Sequence, residues 1–180
     1  MSQERERLKL ILKENSILHG KFKLSSGKES NYYIDARSTT LHPEGVYLVG
    51  RIFLDAISKD SEIQAVGGPT MGADPIVGSI LAQSYQKGRP LRGFLVRKEE
   101  KQHGTVKLIE GNLRSGDKVA IVEDVATTGG SILKAIDAAK GAGAIVKKVL
   151  VIVDREEGAR KTLEDMGNEF FSIFKIGELL

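Results

Sequence analysis

Lys118-Val-Ala-Ile-Val-Glu-Asp-Val-Ala-Thr-Thr-Gly-Gly-Ser-Ile-Leu133 sets an apolar strand, two acids, a hydroxyl- and glycine-rich loop and a helix start in immediate succession. Val119 to Val122 are a short, mostly β-branched run bounded by polar residues, which predicts a buried strand. Glu123 and Asp124 are then expected to emerge at its carboxyl end, where open α/β sheets bind their ligands. Thr127 to Gly130 can wrap an anion closely, because glycine lets backbone N–H groups approach and the threonine hydroxyls add donors. Ser131 is placed to open the next helix, whose positive dipole end favours a phosphate. The order describes a phosphorylated-ribose pocket. It is neither a dinucleotide G-x-G-x-x-G nor a Walker A loop, since no Gly-Lys-Ser/Thr follows the glycines. Taken alone, the run leaves a plain strand-to-helix turn with solvated acids as the alternative.

Working outward, helical and strand-like segments alternate without a repeat or a low-complexity linker, which predicts an α/β fold with a parallel sheet. Leu8, Ile11 and Leu12 give the first helix its apolar face. Helix signals recur over Gly45 to Ile57, Ile76 to Gln86 and Ser131 to Lys140. Strands are expected at Gln64 to Val66, Gly93 to Val96, Lys118 to Val122 and Val149 to Val153, each nearly continuously apolar as when both faces are covered. Gly141 and Gly143 suit a helix stop.

The 180 residues are by prior one domain, long enough to bury about 70% of the unfolded surface. The absence of cysteine excludes disulfides, thiol catalysis and cysteine-held zinc, and is compatible with a reducing cytoplasm. Three scattered histidines argue against a histidine-rich metal site. The charged start Ser2-Gln-Glu-Arg-Glu-Arg and the lack of an apolar run near eighteen residues predict neither a signal peptide nor a membrane span. A net charge of +3 does not indicate nucleic acid, because the cations are dispersed among acids and no basic stretch is interleaved with aromatics. A substrate carrying several phosphates is a simpler use for local cations.

Three further segments carry chemistry. Arg97-Lys-Glu-Glu-Lys-Gln-His-Gly104 follows an expected strand and places the cations Arg97, Lys98, Lys101 and His103 in seven positions. Such a stretch is a solvated loop or a closing one, and Gly104 and Gly111 permit it to bend. Phe22-Lys-Leu-Ser-Ser-Gly-Lys-Glu-Ser-Asn-Tyr-Tyr-Ile-Asp35 reads as a hairpin. Asp154-Arg155 ends the last strand, and a guanidinium there is either a surface ion-pair partner or a bidentate carboxylate receptor.

Val122 through Ser131 resembles the phosphoribosyl diphosphate (PRPP) signature of the type I phosphoribosyltransferases. The resemblance implies a type I phosphoribosyltransferase fold: a central, mostly parallel sheet flanked by helices, with a small N-terminal hood. It implies that Glu123 and Asp124 face the ribose, that Val125, Ala126, Thr127, Thr128, Gly129, Gly130 and Ser131 cradle the 5-phosphate, and that Mg²⁺ arrives mainly on the diphosphate rather than in a protein cage. The string R-K-x-x-K-x-H-G, as Arg97, Lys98, Lys101, His103 and Gly104, resembles the catalytic loop of the orotate phosphoribosyltransferases, which is shared across a homodimer. F-x-L-x-S-G-x-x-S-x-Y-Y resembles their hood, with Tyr32 and Tyr33 near the pyrimidine, and Arg155 falls where they bind orotate, as does Thr127. The implied catalytic residues are Lys101, His103 and Asp124; the implied partners are PRPP and orotate. The implied organisation is one domain, with a hood of about 1–40 plus the C-terminal segment and a core of about 41–160. Two positions depart from many members: Ser25 stands where they have a lysine, and Gly68-Pro69-Thr70-Met71-Gly72 lacks their Tyr-Lys pair. The loop Gly67 to Pro75 is expected either to face the diphosphate or only to turn the chain into a helix. The alternatives on the same fold are transfer to another base and a PRPP-sensing regulator.

Overall fold

In a computed structural model, which describes residues 2–23, 29–98 and 108–180, the chain begins with helix α1 (Ser2–Asn15) and the antiparallel hairpin β1 (Ile17–Lys23) and β2 (Glu29–Ile34). A short α2 (Arg37–Thr40) and α3 (Pro43–Ile57) lead to β3 (Ala65–Pro69), α4 (Ala73–Gln86), β4 (Arg92–Val96) and β5 (Ile109–Gly111). Then come β6 (Lys118–Ala126), α5 (Gly130–Gly141), β7 (Ile145–Asp154), α6 (Ala159–Asp165), β8 (Glu169–Lys175) and a 3₁₀ turn at Ile176–Glu178.

Helix α3 starts at a cap that the sequence supplies, and α5 ends where it supplies glycine. Pro43 occupies the first turn of α3, where its missing N–H costs nothing, and His42 Nδ1 accepts from the Gly45 N–H at 3.2 Å. After α5 the chain turns at Gly143, with φ 85, and the N–H of Ala144 returns to Ala139 O at 3.0 Å.

Among the described residues six strands form the main sheet in the order β5-β4-β3-β6-β7-β8, all parallel except the antiparallel edge strand β5. Both faces are covered. Ala120 and Val122 point into the cluster built with α1, α3 and α4, whereas Val119 and Ile121 join the cluster under α5 and α6. This alternation explains why the strand had to be apolar at every position. From β3 the chain steps outward to β4 and β5, then returns to the other side of β3 as β6. The carboxyl ends of β3 and β6 therefore diverge into a crevice, the switch point at which open α/β sheets bind ligands.

Strand β6 runs four residues past the expected end at Val122. Its neighbour β7 is long enough to keep pairing, with Glu123 opposite Val151 and Ala126 opposite Asp154. On the other side the β3 ladder stops at Gly67 opposite Ile121. The acids thus belong to a strand that is paired on one edge and open on the crevice edge. At the C-terminal end β8 pairs with β7 in the main sheet, while Ile176 and Leu179 share a core with Leu8 and Ile11 of α1.

Candidate active site

The crevice is a cleft of about 730 Å³ between the β2–α2 junction, the loop after β3, the end of β4 and the start of α5. Glu123 and Asp124 form its floor. The Asp124 N–H donates to Glu123 Oε1 at 3.2 Å, the Val125 N–H donates to Asp124 Oδ1 at 2.7 Å, and Ser131 Oγ donates to Glu123 Oε2 at 3.1 Å. Burial, reinforced by the neighbouring Asp124 charge, pushes the Glu123 carboxyl up to about 8. Asp124 is raised as well, chiefly by burial. Burial raises both adjacent carboxyls, so the pair favours its protonated form until a ligand brings hydroxyls or cations.

The loop after β3 lies directly over the pair. A Cβ on Gly72 would overlap Glu123 Oε1 and stand 2.8 Å from Asp124 Oδ1, so only glycine lets this backbone approach the acids. Thr70 and Met71 line the same wall.

At the other end, Gly129 (φ 89) turns the chain into α5 and caps it without a side-chain bond. Ser131 does not open that helix, contrary to expectation. It sits in the first turn with its hydroxyl aimed at Glu123, because a left-handed turn at Gly129 has already started the helix. Gly130, Ser131 and Lys134 border the cleft, so the amino end of a twelve-residue helix and one cation face it.

Of the cationic segment, Arg97 and Lys98 line the cleft, while Lys101 and His103 lie outside the described residues. The segment's ends are fixed: the Arg97 N–H donates to Leu108 O at 2.9 Å, and Arg97 Nε lies 3.0 Å from Glu110 Oε1. Tyr33 lines the cleft and stacks at 5.7 Å from Phe22. Tyr32 lies to the side, its ring 5.3 Å from the Arg155 guanidinium. Ala126, Thr127, Thr128, Gly129, Tyr32 and Arg155 are not part of the cleft lining; Ala126 O instead accepts from the Arg155 N–H at 2.9 Å, so Arg155 flanks the cleft beside β6. Ser25 lies outside the described residues.

Two cations in the lining were not anticipated. Arg37 clasps Asp35 through bonds of 2.8 and 3.1 Å, which holds the Asp35 carboxyl below its usual range. Lys134 was detectable in principle, since it follows Ser131 by three residues and so shares its helical face.

A phosphoribosyl transferase domain family model matches residues 39–171. An orotate phosphoribosyltransferase of Aquifex aeolicus is 45% identical over 180 residues, covering 98% of each chain. The chain belongs to the orotate phosphoribosyltransferases of the type I phosphoribosyltransferase family. Solved structures agree. The orotate phosphoribosyltransferase of Mycobacterium tuberculosis in complex with Fe(III) dicitrate superposes with a TM-score of 0.86 at 39% identity, covering 98% of each chain. The complex of the same enzyme with PRPP superposes at 0.82 and 36% identity, again covering 98% of each chain. The match to adenine phosphoribosyltransferase from Leishmania donovani, at 15% identity and a TM-score of 0.68 over 96% of this chain and 81% of that one, shows the shared fold alone. Among the described residues no helix is long and apolar enough to cross a membrane.

Proposed function

We propose that this orotate phosphoribosyltransferase transfers the ribosyl 5-phosphate of PRPP to N1 of orotate, giving orotidine 5'-phosphate and diphosphate in pyrimidine synthesis. The observation that carries this reading is the convergence, at one switch point, of the acid pair Glu123/Asp124, the amino end of α5 and the cations Arg97 and Lys98.

The difficulty of the reaction is charge. As the bond from C1 to the diphosphate oxygen breaks, the ribose becomes oxocarbenium-like and the leaving group gains negative charge. Asp124 and Glu123 hold the ribose hydroxyls near C1, where their negative charge stabilises the developing cation. The loop Ala126 to Ser131 holds the 5-phosphate at the amino end of α5. Arg97, Lys98, Lys101 and His103 meet the departing diphosphate, with Lys101 the main loop cation and His103 donating to a leaving oxygen. Arg155, Tyr32, Tyr33 and Thr127 orient orotate so that N1 faces C1, which replaces a collision with a fixed geometry.

Among the described residues no group of three or more His, Asp or Glu is arranged to cage a metal. The donors that face the cleft are oxygens, which suits a hard cation delivered on phosphates with much of its water retained. Mg²⁺ so bound would neutralise diphosphate charge.

A homodimer fits the surface beside the cleft. Leu41, Tyr47 and Met71 are 75%, 50% and 65% exposed. They line grooves that join the cleft through Arg37 and Met71. Apolar exposure of this kind marks a contact surface. The resemblance assigns such a dimer a loop shared between its two clefts. We read the chain as one domain in which the β1–β2 hairpin forms the hood over the pyrimidine, and as a cytoplasmic enzyme.

A panel of bases offered with PRPP and Mg²⁺ tests the assignment. Consumption of orotate with no consumption of adenine, guanine or uracil is expected. Preference for a purine would overturn it.

A further inference from the structure

Arg155 and Glu157 stand two residues apart in the turn after β7, and the turn brings them together. Asp154, buried at the strand end, accepts the Glu156 N–H at 2.8 Å through Oδ1, and its Oδ2 accepts from Arg160 Nε at 3.3 Å. Glu156, at φ 58, and Gly158, at φ 106, curl the chain back. The Glu156 carboxylate is drawn away to Lys175 at 2.9 Å. Glu157 Oε1 is thereby left 2.9 Å from Arg155 Nε.

The two partners are held unequally. The Arg155 side chain is 8% exposed and fixed over Tyr32, whereas that of Glu157 is 26% exposed on a short loop. Arg155 Nε is buried and makes no hydrogen bond, so Glu157 supplies charge at short range without hydrogen-bond alignment. A planar carboxylate entering beside β6 can engage the guanidinium fork with two parallel bonds, which is the better geometry. Glu157 can yield to it by side-chain rotation into solvent.

The geometry points to Glu157 as a displaceable counter-ion that neutralises Arg155 before the acceptor arrives and is exchanged for the acceptor's carboxylate. This inference rests on the assignment of Arg155 to the acceptor base. A base without an anionic substituent has nothing to exchange. It meets a guanidinium already occupied, with a carboxylate in the way, so Glu157 selects for an anionic acceptor while lowering affinity for it.

Equilibrium titration with orotate, and with uracil as the carboxylate-free analogue, tests the exchange in the native protein, Glu157→Gln and Arg155→Ala. Glu157→Gln is expected to tighten orotate about 2- to 5-fold, the range of one partly exposed ion pair, with a matching fall in KM for orotate and no gain for uracil. A merely structural Glu157 would give the opposite sign, since Arg155 would lose its support. Unchanged or weaker orotate binding by Glu157→Gln, or an equal gain for uracil, overturns the proposal. If Arg155→Ala binds orotate as the native protein does, the acceptor assignment falls and the counter-ion role with it. If Arg155→Ala weakens orotate binding and Glu157→Gln fails to tighten it, only the counter-ion role falls.

Discussion

Ser131 Oγ donates to Glu123 Oε2 across 3.1 Å, and this bond ties the first turn of α5 to the last residues of β6. It joins the phosphate end of the cleft to the acid pair. Ser131→Ala removes a donor that partly offsets the cost of ionising the buried Glu123 carboxyl. The substitution is expected to cost about 0.5–1.5 kcal/mol of stability, read by denaturant unfolding, and to weaken PRPP binding. Native stability together with native PRPP affinity would show that the bond does neither.

The acid pair makes stability depend on pH. Glu123 is pushed up to about 8 in the folded protein, against 4.5 as its ordinary value. Between these limits the folded protein keeps a proton that the unfolded chain has released. The contribution of this group is therefore complete below its unfolded pKa and is lost as pH rises through the folded one. Asp124 is shifted in the same direction. Glu123→Gln fixes the neutral form, so its Tm relative to native should be higher near pH 9 than near pH 5, by at least about 2 °C. A difference that does not change with pH would contradict the raised pKa of Glu123.

How much of this site was legible in the sequence follows from what each residue depends on. The strand Val119 to Val122 was readable because both of its faces are covered, which makes it apolar throughout. Its continuation through Glu123 to Ala126 was not, because pairing there is set by the length of β7. Strand β8 was missed: Glu169–Lys175 mixes Phe and Ile with Ser, Glu and Lys, as an edge strand does. Arg37 reaches the cleft only because the hairpin ends beside it, a tertiary fact with no local signature. The raised pKa values of the acids depend on burial that no spacing reveals.

Gly72 is held close to the acids by packing rather than by backbone conformation, since its φ of -60 and ψ of -39 suit any residue. Gly72→Ala should therefore act through the overlap with Glu123 and Asp124. A loss of about 1–3 kcal/mol of stability and a raised KM for PRPP are expected. Native PRPP kinetics would show that the loop moves aside freely.

Lys101→Ala tests the loop. Its cation is assigned to the leaving diphosphate, so kcat should fall by about 10²–10³-fold while the dissociation constant of orotate changes little. Steady-state rates and an orotate titration separate the two, and unchanged turnover would remove Lys101 from the mechanism.

Arg155→Ala should weaken orotate binding by about 1.5–3 kcal/mol, the range of a charge-assisted hydrogen bond, with PRPP binding unaffected. Isothermal titration with orotate is the check, and wild-type affinity would remove Arg155 from the acceptor site.

Diphosphate release on mixing the protein with PRPP, Mg²⁺ and orotate tests the central claim most directly. The account predicts one diphosphate for each orotidine 5'-phosphate formed, and no release above background when orotate is withheld. Release that does not depend on orotate, or no release with it, would contradict the account.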